Sequence, residues 1–451
     1  MSSMRADPLN FFTALSEKNE MYTWFRMPGR NILFLCDAEG IKHVLQTNYK
    51  NYWKGQYNQV LKPIFGDGIF LAEGDEWKKQ RKLSAPSFAG GHFPIMTEDM
   101  IASANLMFSR IDKNLEENSQ IDIYLELMWF TLDVVLRALF DTKKENIAFD
   151  VKDNLAVLLE EAEARIWSML PLPQKLVLKL PKYKNARDKI VNIVDDIIDI
   201  SVKRGQKDDL LTVFKNHYLK IKERDLLVDQ VMSFLLAGHE TTANALAWSF
   251  FELGQRPEIQ QSLLAEIEDQ IGDQALTFDN VKNLKLTKSY FNEILRLYPP
   301  VWSMSRESLE EDTIPLSHGE ITIPKNTTVM MCTYAMHHSS KYWDHPEALM
   351  PERFMGSANE HGYAFFPFGG GARVCLGHKF AEVESVIMIT MFLQRYKFSL
   401  APAQNIKPVP AISLKPSHEV ILNVERKKGV TSQVVPIDFQ QEHTRCPMHA
   451  A

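Results

Sequence analysis

The amino-acid sequence predicts a mainly α fold with a small β region, built as one domain over residues 1–451. Apolar residues recur at helical spacing through 95–168, 225–254, 257–300 and again beyond residue 378. Strand-like alternation is confined to 21–37, 320–337 and 396–426. No Pro/Gly/Ser-rich linker, internal repeat or low-complexity tract divides the chain, so one domain is a simpler reading than the three that ~150 residues per domain would allow. Short disordered segments are allowed for at the N-terminus and in the tail from Lys427, which has no recognisable role. Hydrophobic residues make up 45% and charged residues 24%, the balance of a soluble globular protein with a sizeable core. A formal net charge of -6 gives no indication of nucleic acid as a partner.

Cys36, Cys332, Cys375 and Cys446 lack C-x-x-C spacing, so neither a zinc site nor a disulfide framework is suggested and a reduced cytosolic setting fits. The N-terminal MSSMRADPLNFFTALSEKNE lacks the charged-then-apolar pattern of a signal peptide, and no apolar run approaches the ~18 residues of a membrane span. A cytoplasmic protein without a membrane span is expected.

In chain order, residues 21–37 read as two short strands joined at Pro28-Gly29-Arg30, followed by a helix over 38–47. Arg30 reads as a solvated turn arginine ahead of a contact for an anionic substrate. Residues 48–73, with Tyr52, Trp53, Tyr57, Phe65, Gly66 and Phe70, read as an irregular aromatic loop. In EGDEWKKQRKL, Trp77 and Arg81 stand four apart and share one helix face, while Lys78, Lys79 and Lys82 read as a solvated one. Residues 95–168 read as continuously helical. The segment 169–183 carries three prolines and reads equally as a lid over a substrate entrance and as an ordinary loop.

Residues 225–254, bounded by Gly254 and Pro257, form a helix long enough to cross a domain, apolar nearly all round and so buried. Its middle nevertheless reads AGHETT. Glycine inside a helix costs ~1 kcal/mol against alanine, and an unpaired buried carboxylate costs more. Gly238, Glu240, Thr241 and Thr242 in the centre of a core helix therefore point to a functional site. Further on, Glu293 and Arg296 lie three apart on one helix face, followed by VWSMSRE and by strand, turn and strand around Pro324-Lys325-Asn326.

The stretch FFPFGGGARVCLGHKFAE (365–382) sets Cys375 between Gly369-Gly370-Gly371 and a helix. Glycines take φ > 0 and bring backbone N–H groups close to a ligand. A helix N-terminus lowers a thiol's pKa, and the thiolate is the form that ligates metal. A phosphate loop, a buried core thiol and a nucleophilic cysteine are the competing readings. No Lys-Ser/Thr pair follows the glycines, which weighs against the first.

Phe368, Gly371, Arg373, Cys375 and Gly377 form F-x-x-G-x-R-x-C-x-G, which resembles the heme-thiolate signature of the cytochrome P-450 family. Trp77–Arg81 is similar to the family's W-x-x-x-R helix, Ala237-Gly238-His239-Glu240-Thr241 to its A/G-G-x-D/E-T motif, and Glu293–Arg296 to its E-x-x-R, with PERF at 351–354 after it. The motifs stand in family order over nearly the whole chain. The resemblance implies the P-450 fold, with a long central helix over heme b. It implies Cys375 as iron ligand, Trp77, Arg81, Arg306 and Arg373 at the heme propionates, and Phe368, Gly371 and Gly377 around the thiolate. Ala237 and Gly238 would flank the heme at a kink in the central helix, and Glu240 and Thr241 would relay protons. Glu293, Arg296 and Arg353 would form a buried ion network holding the cysteine loop. Phe70, Phe234, Val301, Trp302, Met304 and Ile412 would line the substrate pocket. In one fatty-acid-hydroxylating branch an acid at the position of Ala237 binds heme covalently; alanine implies no such link.

The activity implied is insertion of one atom of O2 into a C–H bond of a hydrophobic small molecule, fatty acid or terpenoid-like, by a soluble, bacterial-type monomer. Electrons would come from NAD(P)H through a separate reductase and a ferredoxin or flavodoxin docking near Cys375, with the lysines around Trp77 as a second basic patch. A peroxide-using or hydroperoxide-rearranging enzyme and a non-catalytic heme sensor are the alternatives, and retention of Glu240 and Thr241 argues against both.

Overall fold

The computed structural model describes residues 2–18, 20–27, 30–142, 145–166, 180–207, 209–356 and 358–427. It is mainly helical with small sheets, and its axis is the central helix Arg224–Gln255, 32 residues long. At 1.5 Å per residue that is about 48 Å. Val231, Leu235, Leu246 and Phe250 on it are fully buried. It packs along the helix Ile123–Phe140, and Gly238 lets the two approach: a Cβ there would stand 2.9 Å from Val135 Cγ2. The central glycine thus has a packing cause as well as its place in the motif. Arg224–Gln255 is unbroken α-helix, with no interruption at Ala237–Thr241.

Residues 95–168 are not one helix. Phe93–Asn114 ends in the polar run up to Gln120, a short strand Gln120–Asp122 follows, and Asp122 caps Ile123–Phe140 by accepting the N–H groups of Tyr124 and Leu125. That helix closes on Asp141, in the left-handed region at φ 45, before Glu145–Ile166 begins. Both ends carry ordinary capping chemistry: a short polar side chain accepts first-turn N–H groups, and a left-handed residue stops the last turn. The aromatic stretch 48–73 is also more ordered than an irregular loop. Gly55 (φ 71) and Gly66 (φ 54) divide it into the short helices Gly55–Asn58, Gln59–Leu61 and Lys62–Phe65. Most of the segment 169–183 lies outside the described residues, as do Pro28, Gly29, Cys446 and the tail; from Pro181 the chain is helical.

Five strands form one sheet in the order Tyr22–Met27, Arg30–Leu35, Thr327–Met331, Met304–Ser308 and Tyr52–Trp53. Glu320–Ile323 pairs instead with Asp312–Pro315, so the turn at Pro324–Asn326 joins two sheets. Near the C-terminus a hairpin of Pro408–Pro410 and Leu414–Pro416 is tied to the segment 300–304: Leu414 N–H donates to Pro300 (2.9 Å) and the Trp302 indole to Ala411 (2.8 Å). No helix among the described residues is long and apolar enough to cross a membrane.

The cysteine-bearing segment leads into the helix His378–Arg395, which holds Glu384 fully buried with no hydrogen-bond partner among the described residues. Burial raises this carboxyl well above its usual pKa of 4.5. The folded state keeps a proton that the unfolded chain releases, so stability falls as pH rises from 4.5 toward the raised value, by about 1.4 kcal/mol per unit. Glu384→Gln removes that loss. Its melting temperature should exceed that of the parent by a margin that widens from pH 5 to pH 8, and a constant margin would show that Glu384 is not protonated on folding.

Candidate active site

The cysteine turn is built by backbone geometry. Gly371 sits at φ 61, and a Cβ there would collide with the carbonyl oxygen of Leu45. This glycine therefore serves close packing against the turn His43–Thr47 and does not open space for a ligand. The Cys375 N–H then donates to Phe368 O (3.0 Å), and the Cys375 carbonyl meets His378 Nδ1 at 2.9 Å. Cys375 stands three residues before the helix His378–Arg395 and is exposed, whereas Cys36 and Cys332 are buried. The thiol's pKa is raised. Although the side chain is exposed, the mass of protein around it limits its hydration, and this outweighs the lowering by the Gly377 N–H and the Arg81 charge.

The central helix is buried from Val231 to Gly254 except at Ala237, Gly238, Glu240, Thr241 and Phe251. The accessible turn is the AGHETT turn. Thr241 Oγ1 donates to the carbonyl of Ala237 (2.7 Å), the back-bond of a helical threonine. Glu240 has a different partner: its Oε1 accepts from Ser413 Oγ at 2.6 Å, and burial raises its pKa.

Glu293 and Arg296 are both fully buried and joined by two 2.8 Å bonds. Arg296 also donates to the carbonyls of His337 (2.8 Å), Pro346 (2.6 Å) and Ala348 (3.0 Å), and Arg353 Nε lies 3.4 Å from Glu293 Oε1. His337 continues the chain of contacts: its Nε2 accepts the N–H of Phe366 at 3.1 Å, at the start of the cysteine stretch.

Trp77 and Arg81 share the helix Gly74–Ser84. Arg373 stacks 4.4 Å over the Trp77 ring, bonds to Ala72 O (3.0 Å) and pairs with Glu73, while Arg81 donates to Val374 O (2.8 Å). Arg306 is buried, with Nη1 on the carbonyl of Ser305. Lys54 joins this group. Its ammonium bonds to Phe70 O, and burial, followed by the charges of Arg306 and Arg373, lowers its pKa to about 7.

A family model for cytochrome P450 matches residues 2–424. The chain belongs to the cytochrome P450 family. It is 30% identical over 85% of its length to cytochrome P450 72A397 of Kalopanax septemlobus, covering 77% of that protein. It is 28% identical over 88% to a putative cytochrome P450 132 of Mycobacterium bovis, covering 88% of it. It is 27% identical over 88% to a chloroplastic carotene epsilon-monooxygenase of Arabidopsis thaliana, covering 78% of it. P450s are monooxygenases that hold heme b by a cysteine thiolate, draw on O2 and depend on redox partners, and this P450 is accordingly an oxidoreductase.

The residues around Cys375 fit heme b. A Cβ at Gly377 would find only the Cys375 sulfur within 4 Å, at 3.9 Å, and one at Gly369 only the Met304 methyl, at 3.8 Å, so the backbone leaves the sulfur's approach bare. No group of three or more His, Cys, Asp or Glu among the described residues could hold a metal ion. A single thiol suits iron that arrives with its own equatorial donors. The charges fit too. Arg306, Arg373 and Lys54, the last with its pKa near 7, all act on the single carboxylate of Glu73, so the cluster holds more cation than anion, as propionates require.

The residues expected to line a pocket fall into two groups. Phe70 stacks on Phe65 (4.2 Å), and Phe234 on Phe88 (5.8 Å) beside Phe214. Val301, Trp302, Met304 and Ile412 come together through the hairpin ties, with Val301 exposed and Ile412 half-buried. Trp302 is buried with its indole N–H spent on Ala411, so it braces the hairpin and is not free to turn toward a ligand. A cleft of about 510 Å3 beside Glu73, lined among others by Trp53, Glu76, Gln80 and Leu226, is bordered by neither Cys375 nor Glu240. Sequence reasoning missed Lys54, His337 and Ser413. Lys54 is a lone lysine in an aromatic loop, and the other two act only through contacts distant in sequence.

Proposed function

We propose that this P450 inserts one oxygen atom from O2 into a C–H bond of a hydrophobic small molecule, fatty acid or terpenoid-like, with electrons from NAD(P)H through a separate reductase and a ferredoxin or flavodoxin. The observation that carries this reading is the accessible Glu240–Thr241 turn in an otherwise buried helix. A carboxyl whose pKa burial raises, next to a threonine hydroxyl, can hold a proton and pass it on. Bound heme supplies the oxygen-activating chemistry. Cys375 holds the iron, the cations Lys54, Arg306 and Arg373 receive the propionates, and Val301, Met304 and Ile412 orient the substrate. The carotene monooxygenase among the relatives supports a terpenoid-like substrate. We further propose a single-domain monomer acting in the cytoplasm.

The relay is tested on the reconstituted enzyme. Thr241→Ala should keep consuming NAD(P)H while releasing hydrogen peroxide in place of product. Glu240→Gln should slow product formation on the order of 10²-fold, the usual contribution of a positioned proton donor. Because the raised carboxyl is the donor, the parent's rate should fall as pH rises through the Glu240 pKa. Full coupling in Thr241→Ala would overturn the assignment. A panel of lipids and terpenoids, screened for the spectral shift on displacing iron-bound water, identifies the substrate class.

A further inference from the structure

We propose that Ser413, on the C-terminal hairpin, is a positioning residue that fixes which oxygen of Glu240 gives up its proton. The proposal rests on the relay reading above and adds a residue that lies outside the P450 motifs. Ser413 and Asn244 are both buried, at 4% and 0% exposure. Asn244 Nδ2 donates to Ser413 Oγ at 2.8 Å, and Ser413 Oγ donates to Glu240 Oε1 at 2.6 Å. The serine oxygen thus accepts from the Asn244 amide while its one hydroxyl hydrogen goes to Glu240 Oε1. Oε1 is thereby held as an acceptor, and the carboxyl proton resides on Oε2.

The hairpin that carries Ser413 is itself pinned by the Leu414–Pro300 and Trp302–Ala411 bonds, so the hydroxyl is placed by backbone and not by a free side chain. The Thr241 hydroxyl is occupied by the Ala237 carbonyl, which leaves acid and alcohol with separate partners. In the transfer the Oε2–H bond breaks, Thr241 Oγ1 takes up that proton, and the hydrogen that Thr241 held toward the Ala237 carbonyl is passed on to the oxygen being reduced. The carboxylate left behind is stabilised by the Ser413 donor, and a solvent proton restores it. The titratable groups facing Glu240 are Tyr124 from the helix Ile123–Phe140, Glu163 from Glu145–Ile166, and Lys415 on the hairpin. Of these, Lys415 favours the charged form and Glu163 opposes it.

The test uses the full-length holoenzyme and reads the acid directly. The infrared carbonyl band of the protonated carboxyl, assigned by its loss in Glu240→Gln, is titrated in the parent, Ser413→Ala and Ser413→Thr. Ser413→Ala should move the midpoint upward on the order of one pH unit, the effect of losing one hydrogen bond to a carboxylate. The pH at which product formation falls should move with it, and Ser413→Thr should restore both. Asn244→Ala, which frees the serine hydroxyl to turn away, should give a smaller shift of the same sign. A midpoint unchanged in folded Ser413→Ala overturns the proposal, even if its melting temperature drops. If Ser413→Ala does not fold, Ser413→Cys, a weaker donor of similar volume, must show the upward shift, and its absence there is equally fatal. If the parent oxidises no substrate with reductant and yet the band shifts, the proposed function fails and the Ser413 assignment stands.

Discussion

Cys375→Ser should fold and yet lose both substrate oxidation and the carbon monoxide difference band that thiolate ligation gives. The turn around residue 375 is held by the Cys375 N–H on Phe368 O and by the positive φ of Gly371, neither of which needs the sulfur. Circular dichroism and melting temperature should therefore stay close to those of the parent. What changes is the ligand. A serine hydroxyl remains protonated at neutral pH and does not push electron density onto iron as a thiolate does. The raised pKa of Cys375 in the protein alone strengthens the expectation, because it makes thiolate formation coupled to metal binding: the metal, not the helix, removes the proton. Heme loading should consequently release a proton in the parent and none in Cys375→Ser, measurable in weakly buffered solution. No other described thiol can substitute. Cys332 is fully buried with its pKa pushed up to about 12, and Cys36 is buried and raised further still. Persistence of the thiolate band in Cys375→Ser would remove Cys375 as ligand.

Parts of the site were legible because their chemistry is local in sequence. The turn and Cys375 occupy one continuous stretch, Trp77 and Arg81 are one helical turn apart, and Glu293 and Arg296 meet at i,i+3 on one helix. Likewise the long apolar helix announced its own burial, and its polar interruption marked the accessible turn. What was illegible depends on distant pairing. Ser413 stands 173 residues from Glu240, and Phe366 29 residues from His337, and nothing in the neighbourhood of either Ser413 or His337 distinguishes it from an ordinary core or loop residue. Lys54 is one lysine in an aromatic stretch, and only the fold brings it within reach of the charges of Arg306, Arg373 and Glu73. The pKa of Cys375 misled for a related reason: helix-terminus chemistry is visible in sequence, whereas the desolvation that outweighs it comes from the packed fold. The break inside 95–168 did carry a signal, Asp122 immediately before an apolar run, which is an N-cap pattern.

Removing one member of the Glu293–Arg296 pair should be the most destabilising single change in the molecule. Both side chains have 0% exposure, so Glu293→Gln leaves the Arg296 guanidinium charged in a dry interior with its carboxylate gone. Breaking a buried pair on one side typically costs 3–5 kcal/mol, roughly 3–5 °C in melting temperature for a chain of this size. The cost spreads toward the cysteine. Arg296 donates to His337, Pro346 and Ala348, and Glu293 accepts the Met350 N–H at 2.9 Å, so one ion pair fastens the chain from 337 to 350. Through His337, whose neutral ring accepts the Phe366 N–H, that same fastening reaches the segment leading to Cys375. Glu293→Gln should thus lose heme as well as stability. Arg353→Ala, whose Nε stands off at 3.4 Å, should cost less on both counts. Arg296→Lys separates charge from geometry, because an ammonium keeps the charge but has three donors and no planar fork for two carboxylate oxygens and three carbonyls. Heme retention in Arg296→Lys closer to Glu293→Gln than to the parent would show that the fork anchors the cysteine segment; retention equal to the parent would show that charge alone suffices and would refute the anchoring path through His337.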